Sequence, residues 1–111
     1  MSNFFKCGGT ALATTAQTTL LTAPAQSSFI LSSVIISNTT GTGETVNIDF
    51  TDSSAGATYN IATALAIGAT TKVDLLSSSF VLEEGDSFKA TASTGGSIDI
   101  VISYLDRYRG G

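Results

Sequence analysis

The sequence predicts an all-β protein: a single antiparallel β-sandwich or jelly-roll-like domain of about eight short strands with extended termini. Three observations lead there. Charged residues make up 13% of the 111-residue chain and hydrophobic ones 42%, so much of the polarity comes from Ser and Thr. Lys and Glu, the usual polar helix formers, are scarce. Several stretches alternate apolar and polar residues, the pattern of a strand with one buried and one wet face. Clusters of Gly, Ser, Asn and Asp punctuate those stretches at short intervals. A chain of this size buries a core without disulfides or metals.

Residues 1–17 carry one side-chain charge, Lys6, and mostly small side chains apart from Phe4, Phe5 and Leu12. A nearly uncharged Thr/Ala segment has little to discourage strand pairing. It reads as an N-terminal arm, either a ragged terminal segment or an extended one that pairs with a neighbouring subunit. Thr18–Thr22 is a short strand stopped at Ala23-Pro24, where proline presets an extended turn. Residues 29–36 are apolar on both parities, which predicts a central strand covered on both faces. Val46, Ile48 and Phe50 alternate with Thr45, Asn47, Asp49 and Thr51. The TTGTG between these runs, with Gly41 and Gly43, predicts a β-hairpin as the organising unit.

The turn formers of residues 51–56 return the chain to a strand at 57–61, with Tyr59 and Ile61 in phase. Residues 62–69 are softer: Ala and Leu permit a helical turn, which Gly68 breaks. Residues 70–76 alternate again. Two strands, 80–82 and Ser87–Ala92, flank the turn Glu83-Glu84-Gly85-Asp86, and the loop at 93–96 closes a last hairpin onto a strand at 97–105. The body is thus 18–106, followed by a tail at 107–111. Val46, Ile48, Phe50, Ile98, Ile100 and Ile102 are its predicted inner face.

Chemistry is sparse. A net charge of −4 and a pI of about 4.3 leave no basic patch for nucleic acid and no polybasic membrane anchor. The absence of histidine removes Ser-His-Asp and Cys-His catalysis and the usual zinc sites. Cys7 is alone, so no intrachain disulfide forms. Gly41-Thr42-Gly43 is a fragment of a phosphate loop, but it joins two strands instead of opening a helix. Glu83, Glu84 and Asp86 offer oxygen ligands for calcium; a solvated turn whose charges discourage edge pairing is the simpler reading. Tyr59, Tyr104 and Tyr108 suggest a sugar-stacking platform, although Tyr59 and Tyr104 fall in phase with core positions. With no apolar signal segment and no run long enough to span a bilayer, synthesis and folding in the cytoplasm are expected. No cofactor, metal or small-molecule substrate is predicted.

The final YLDRYRGG places two of the five basic residues beside a tyrosine in an otherwise acidic protein. Arg and Tyr dominate interface hot spots, so Arg107, Tyr108 and Arg109, with Phe4 and Phe5 at the other end, are the candidate subunit contacts.

From about residue 18 to 106 the chain resembles a group of small virion structural proteins of tailed bacteriophages. The likeness lies in TTLLTAPAQSSFILSSVIISNTTG, VNIDFTDSSAGATYNIA, a strand ending near Leu75, VLEEGDSFKATAS and IDIVISYLD. The resemblance implies a β-sandwich present in many copies on the virion, as a capsid decoration or cement protein or a neck or tail accessory subunit. Its partners would be further copies of itself and the major virion proteins. It brings no catalytic residues. The alternative is a carbohydrate-binding module of a host-recognition fibre, against which the absence of tryptophan counts.

Overall fold

The computed structural model describes residues 2–109; Met1, Gly110 and Gly111, the outermost residues of the predicted arm and tail, lie outside them. Nine strands follow one another: β1 Ser2–Leu12, β2 Thr18–Thr22, β3 Ser27–Asn38, β4 Glu44–Asp52, β5 Ala57–Ile67, β6 Lys72–Asp74, β7 Phe80–Leu82, β8 Ser87–Ala92 and β9 Ile98–Tyr108. They form two antiparallel sheets. The larger runs β1-β9-β3-β6, with β7 also paired to β3, and the smaller runs β2-β8-β4-β5.

The sheets pack face to face because each presents one apolar parity. From the larger come Leu31, Val34 and Ile36 of β3 and Ile98, Ile100 and Ile102 of β9; from the smaller come Val46, Ile48, Phe88, Ala90 and Ala92, all buried. Cross-strand partners alternate in bulk, Val46 facing Ala92 and Ile48 facing Ala90, which leaves room for the isoleucines opposite. Phe50 is only half-buried. It closes the stack at one end, edge-on to Phe80 with ring centres 5.3 Å apart, while Phe80 meets Phe88 at 5.8 Å.

Several expectations are corrected. The run at 29–36 and the strand at 46–50 do not form a hairpin: β3 lies in the larger sheet and β4 in the smaller, so TTGTG carries the chain across the sandwich. The loop at 93–96 does the same between β8 and β9. Of strands adjacent in sequence, β4 and β5 do pair, through the loop at 53–56. Alternation locates a strand but does not say which sheet receives the next one.

β3 is central within its sheet yet covered on one face only. Its second apolar parity, including Ile30 and Ile35, is half-exposed because, among the described residues, nothing packs outside the two layers.

Residues 1–17 do not stand apart from the body as an arm. β1 pairs with β9 from Ser2↔Tyr108 to Leu12↔Ile98, and Leu12 is in the core. Eleven backbone partners and one buried leucine offset the ordering entropy that its small side chains could not. The tail is shorter than expected for the same reason, since Arg107 and Tyr108 continue β9 between β1 and β3.

Residues 62–67 extend β5 instead of turning helically. The strand accommodates them with two register breaks against β4 and a left-handed Ala64 (φ 50°).

Candidate interaction surface

The crossing loops are held by two buried polar side chains. Asn38, at the end of β3, donates to the carbonyls of Thr42 (2.7 Å) and Ile67 (3.1 Å). Its Oδ1 accepts from the Thr40 N–H and hydroxyl. One amide thereby fixes TTGTG against β5.

Asp86, 3% exposed, accepts from the N–H groups of Ser53 and Glu83, each at 3.0 Å. Gly85 takes the left-handed conformation (φ 88°), and a Cβ there would lie 2.5 Å from Ser53 Oγ. The acidic turn is thus a joint between β7, β8 and the β4–β5 loop. A second carboxylate of the turn, Glu84, accepts from the Gln26 N–H at 2.9 Å and pairs with Arg109. Glu44 links the 93–96 loop to TTGTG: hydrogen bonds from Thr94 above all and then Ser93, with a lesser one from Thr42, hold its carboxyl below the ordinary value against the opposing effect of burial. No group of three or more His, Cys, Asp or Glu able to hold a metal ion occurs among the described residues.

The five predicted contacts lie at one end of the larger sheet but on both of its faces: Phe5 and Arg107 share the outer face, while Phe4 and Tyr108 have the parity of the buried Asp106 and Ser27. Phe4 faces Asp106 and Phe5 faces Leu105 across the β1–β9 pairing. Arg107 and Tyr108 continue β9 beside Ser28 and Ser27 of β3, and Arg109 follows. Phe5 is 90% exposed and Phe4 48%. Lys6 pins β1 to β9 through Asp106, Nζ to Oδ2 at 3.1 Å. The three tyrosines are scattered instead. Tyr104 packs on Phe29 with ring centres 4.7 Å apart, while Tyr59, expected in the core, is 54% exposed on the edge strand β5, its ring 6.4 Å from that of Phe50. Tyr108 belongs to the terminal group. No common platform for a sugar ring results.

Sequence reasoning missed the residues that continue this surface. On the outer face of the larger sheet, Phe5 neighbours Leu105, Leu105 neighbours Ile30, and Ile30 neighbours Val81. Four apolar side chains therefore form one row across β1, β9, β3 and β7. Val101 and Ile35 form a second row, separated from the first by Cys7, Ser103 and Ser33. β3's second apolar parity was the signal, but it pointed equally to burial. The sequence matches no protein-family model and no curated protein.

Proposed function

We propose that the protein is a non-enzymatic structural subunit of a tailed-phage virion. The favoured role is a capsid decoration or cement protein, with a neck or tail accessory subunit as the other position of the same kind. The observation that carries this reading is the apolar row Phe5–Leu105–Ile30–Val81, which runs beside Arg107 on the same outer face, with Phe4, Tyr108 and Arg109 at the same end of the sheet. Aromatic and arginine anchors beside an apolar strip are what a protein-docking surface is made of. The phage-like segments quoted above supply the context. Such a subunit works by burying surface on its neighbours, with no chemical step.

The test is occupancy. Particles purified from a lysate of cells carrying the gene should contain the chain in stoichiometric proportion to another virion protein. Leu105→Asp together with Val81→Asp should leave a folded protein that is missing from those particles. Absence of the unaltered chain from particles, or full occupancy by the double variant, would remove the proposal.

A further inference from the structure

We infer that two copies of this chain pair edge to edge through β1, antiparallel about a two-fold axis at Cys7, and so join two larger sheets into one. This does not rest on the virion reading, since the dimer is a property of the purified chain.

The sheet edges differ. β6 and β7 are three residues long each, and β2 is five residues long with a register break against β8. β5 is long but breaks register twice and bends at Ala64. Bulges and shortness are the devices that keep edges from pairing. β1 has neither: its eleven residues pair with β9 without a register break. Its one described charge, Lys6, is already tied to Asp106.

The direction of the backbone groups follows from three hydrogen bonds. The Leu12 carbonyl accepts from the Gly96 N–H at 2.8 Å, on the β9 side of β1. On β9, the Ser97 carbonyl accepts from Thr39 and the Arg109 N–H donates to Gln26, both on the β3 side. Odd-numbered residues of β9 therefore address β3 and even-numbered ones address β1. Through the observed register, even-numbered residues of β1 are used within the sheet. Asn3, Phe5, Cys7, Gly9 and Ala11 turn their N–H and C=O groups to the open edge.

Those residues are complementary to themselves. Phe5 and Gly9 stand two positions either side of Cys7, and Lys6 and Gly8 one position either side. Pairing about Cys7 sets Phe5 of one copy against Gly9 of the other. There an added Cβ would meet nothing nearer than Val101 Cγ2 at 3.8 Å, so an aromatic ring has room. An aromatic laid over an edge glycine is a favourable cross-strand pair. The apolar row then runs on from Leu105 and Phe5 of one copy to Val101 and Ile35 of the second. Charge agrees as well. Asn3 neighbours Arg107 and Ala11 neighbours Asp99, so this register sets the cationic row of each copy against the anionic row of the other. A register centred on Lys6 would oppose two lysines.

Cys7, exposed on the outer face, reports the arrangement. Directly opposed hydrogen-bonded residues have Cα atoms about 5.5 Å apart, inside the range a disulfide spans. Sedimentation velocity on the full chain, from about 5 to about 500 µM, should show reversible dimers. Mild oxidation with a copper–phenanthroline oxidant, which takes two electrons as the two thiols lose their protons, should cross-link them at Cys7. A Cys7→Ser, Ser103→Cys variant moves the thiol one strand inward, to about 14 Å from its counterpart, and should not cross-link.

Gly9→Pro puts the ring where an outward N–H was and spares the pairing to β9. It should weaken the dimer at least about tenfold while circular dichroism and Tm stay close to the parent's. A monomer across the whole concentration range would overturn the proposal, and would point to a strand from another protein as the occupant. Dimers undiminished in a folded Gly9→Pro variant would overturn the choice of edge. Equal cross-linking from position 103 would overturn the register.

Discussion

The two outer faces of the sandwich are built alike and dressed oppositely. On the smaller sheet a row crosses β2, β8, β4 and β5 as Thr22, Ser87, Thr51 and Thr58, with Thr51 and Thr58 hydroxyls 3.0 Å apart. The next row is Thr19, Lys89, Asp49 and Asn60, with the Asn60 amide donating to Asp49 at 2.6 Å. On the larger sheet the comparable row is Phe5, Leu105, Ile30 and Val81. Both inner faces are lined mainly by apolar side chains, with Asp106 the buried charged exception on the larger sheet, so the core does not require this contrast. A sheet with one solvated face reads polar on that face, as the smaller sheet does. The larger sheet's apolar outer rows depart from that pattern, and the proposed contact with another chain would account for them.

The largest effect should come from the shared core, against which the outer faces are calibrated. Ile100→Ala and Ile48→Ala, one from each sheet, should each cost roughly 2–5 kcal/mol in denaturant unfolding. A loss under 1 kcal/mol at either would mean that its inner face is not the close-packed one.

Next is the joint at Asp86. Asp86→Ala leaves the Ser53 and Glu83 N–H groups without their acceptor and should cost about 1–3 kcal/mol. A neutral result would show water replacing the carboxylate and would separate this turn from the rigid frame of the smaller sheet.

The contrast itself is probed by exchanging the dressing. Leu105→Thr with Val81→Thr should change stability by less than about 1 kcal/mol while raising the concentration at which the protein stays dispersed. The mirror change, Thr51→Leu with Thr58→Leu, should make the smaller sheet associate. If light scattering found the two exchanges indistinguishable, the apolar rows would have no special role.

The smallest effect is at Glu44. Its folded pKa is lowered, so its contribution to stability is present above the unfolded-state pKa and disappears as pH falls through the folded value. The Tm difference between the parent and Glu44→Gln should therefore be largest near pH 7 and shrink on acidification through the carboxylate range. A difference that grew on acidification would reverse the sign of the shift.

Strands whose sides differ in environment were legible. β4, β8 and the first half of β9 alternate as their burial does, and the turn at Gly85 was plain from its Glu-Gly-Asp. What was hidden is non-local. β1 shows weak alternation because Gly8, Gly9 and Thr10 carry no face preference, and its partner lies at the other end of the chain. Whether TTGTG joins paired strands or crosses between sheets depends on Asn38, whose four hydrogen bonds bind residues on both sides of the core. Tyr59 has the right phase for the core, but phase does not reveal that β5 is an edge. The terminal contacts were picked as separate ends on residue type alone; that they are neighbours follows from β1 pairing with β9.

That pairing has a consequence for biosynthesis. β1 leaves the ribosome long before β9, with everything between Leu12 and Ile98 translated in the interval. At about 5–20 residues per second the nascent β1 waits several seconds for its partner. During that wait both of its edges are open, and on a polysome its nearest neighbours are other nascent copies of itself. Translation speed across β2–β8, and a chaperone that shields the nascent amino-terminal segment, should therefore govern how much of the protein reaches its own fold before it meets another chain.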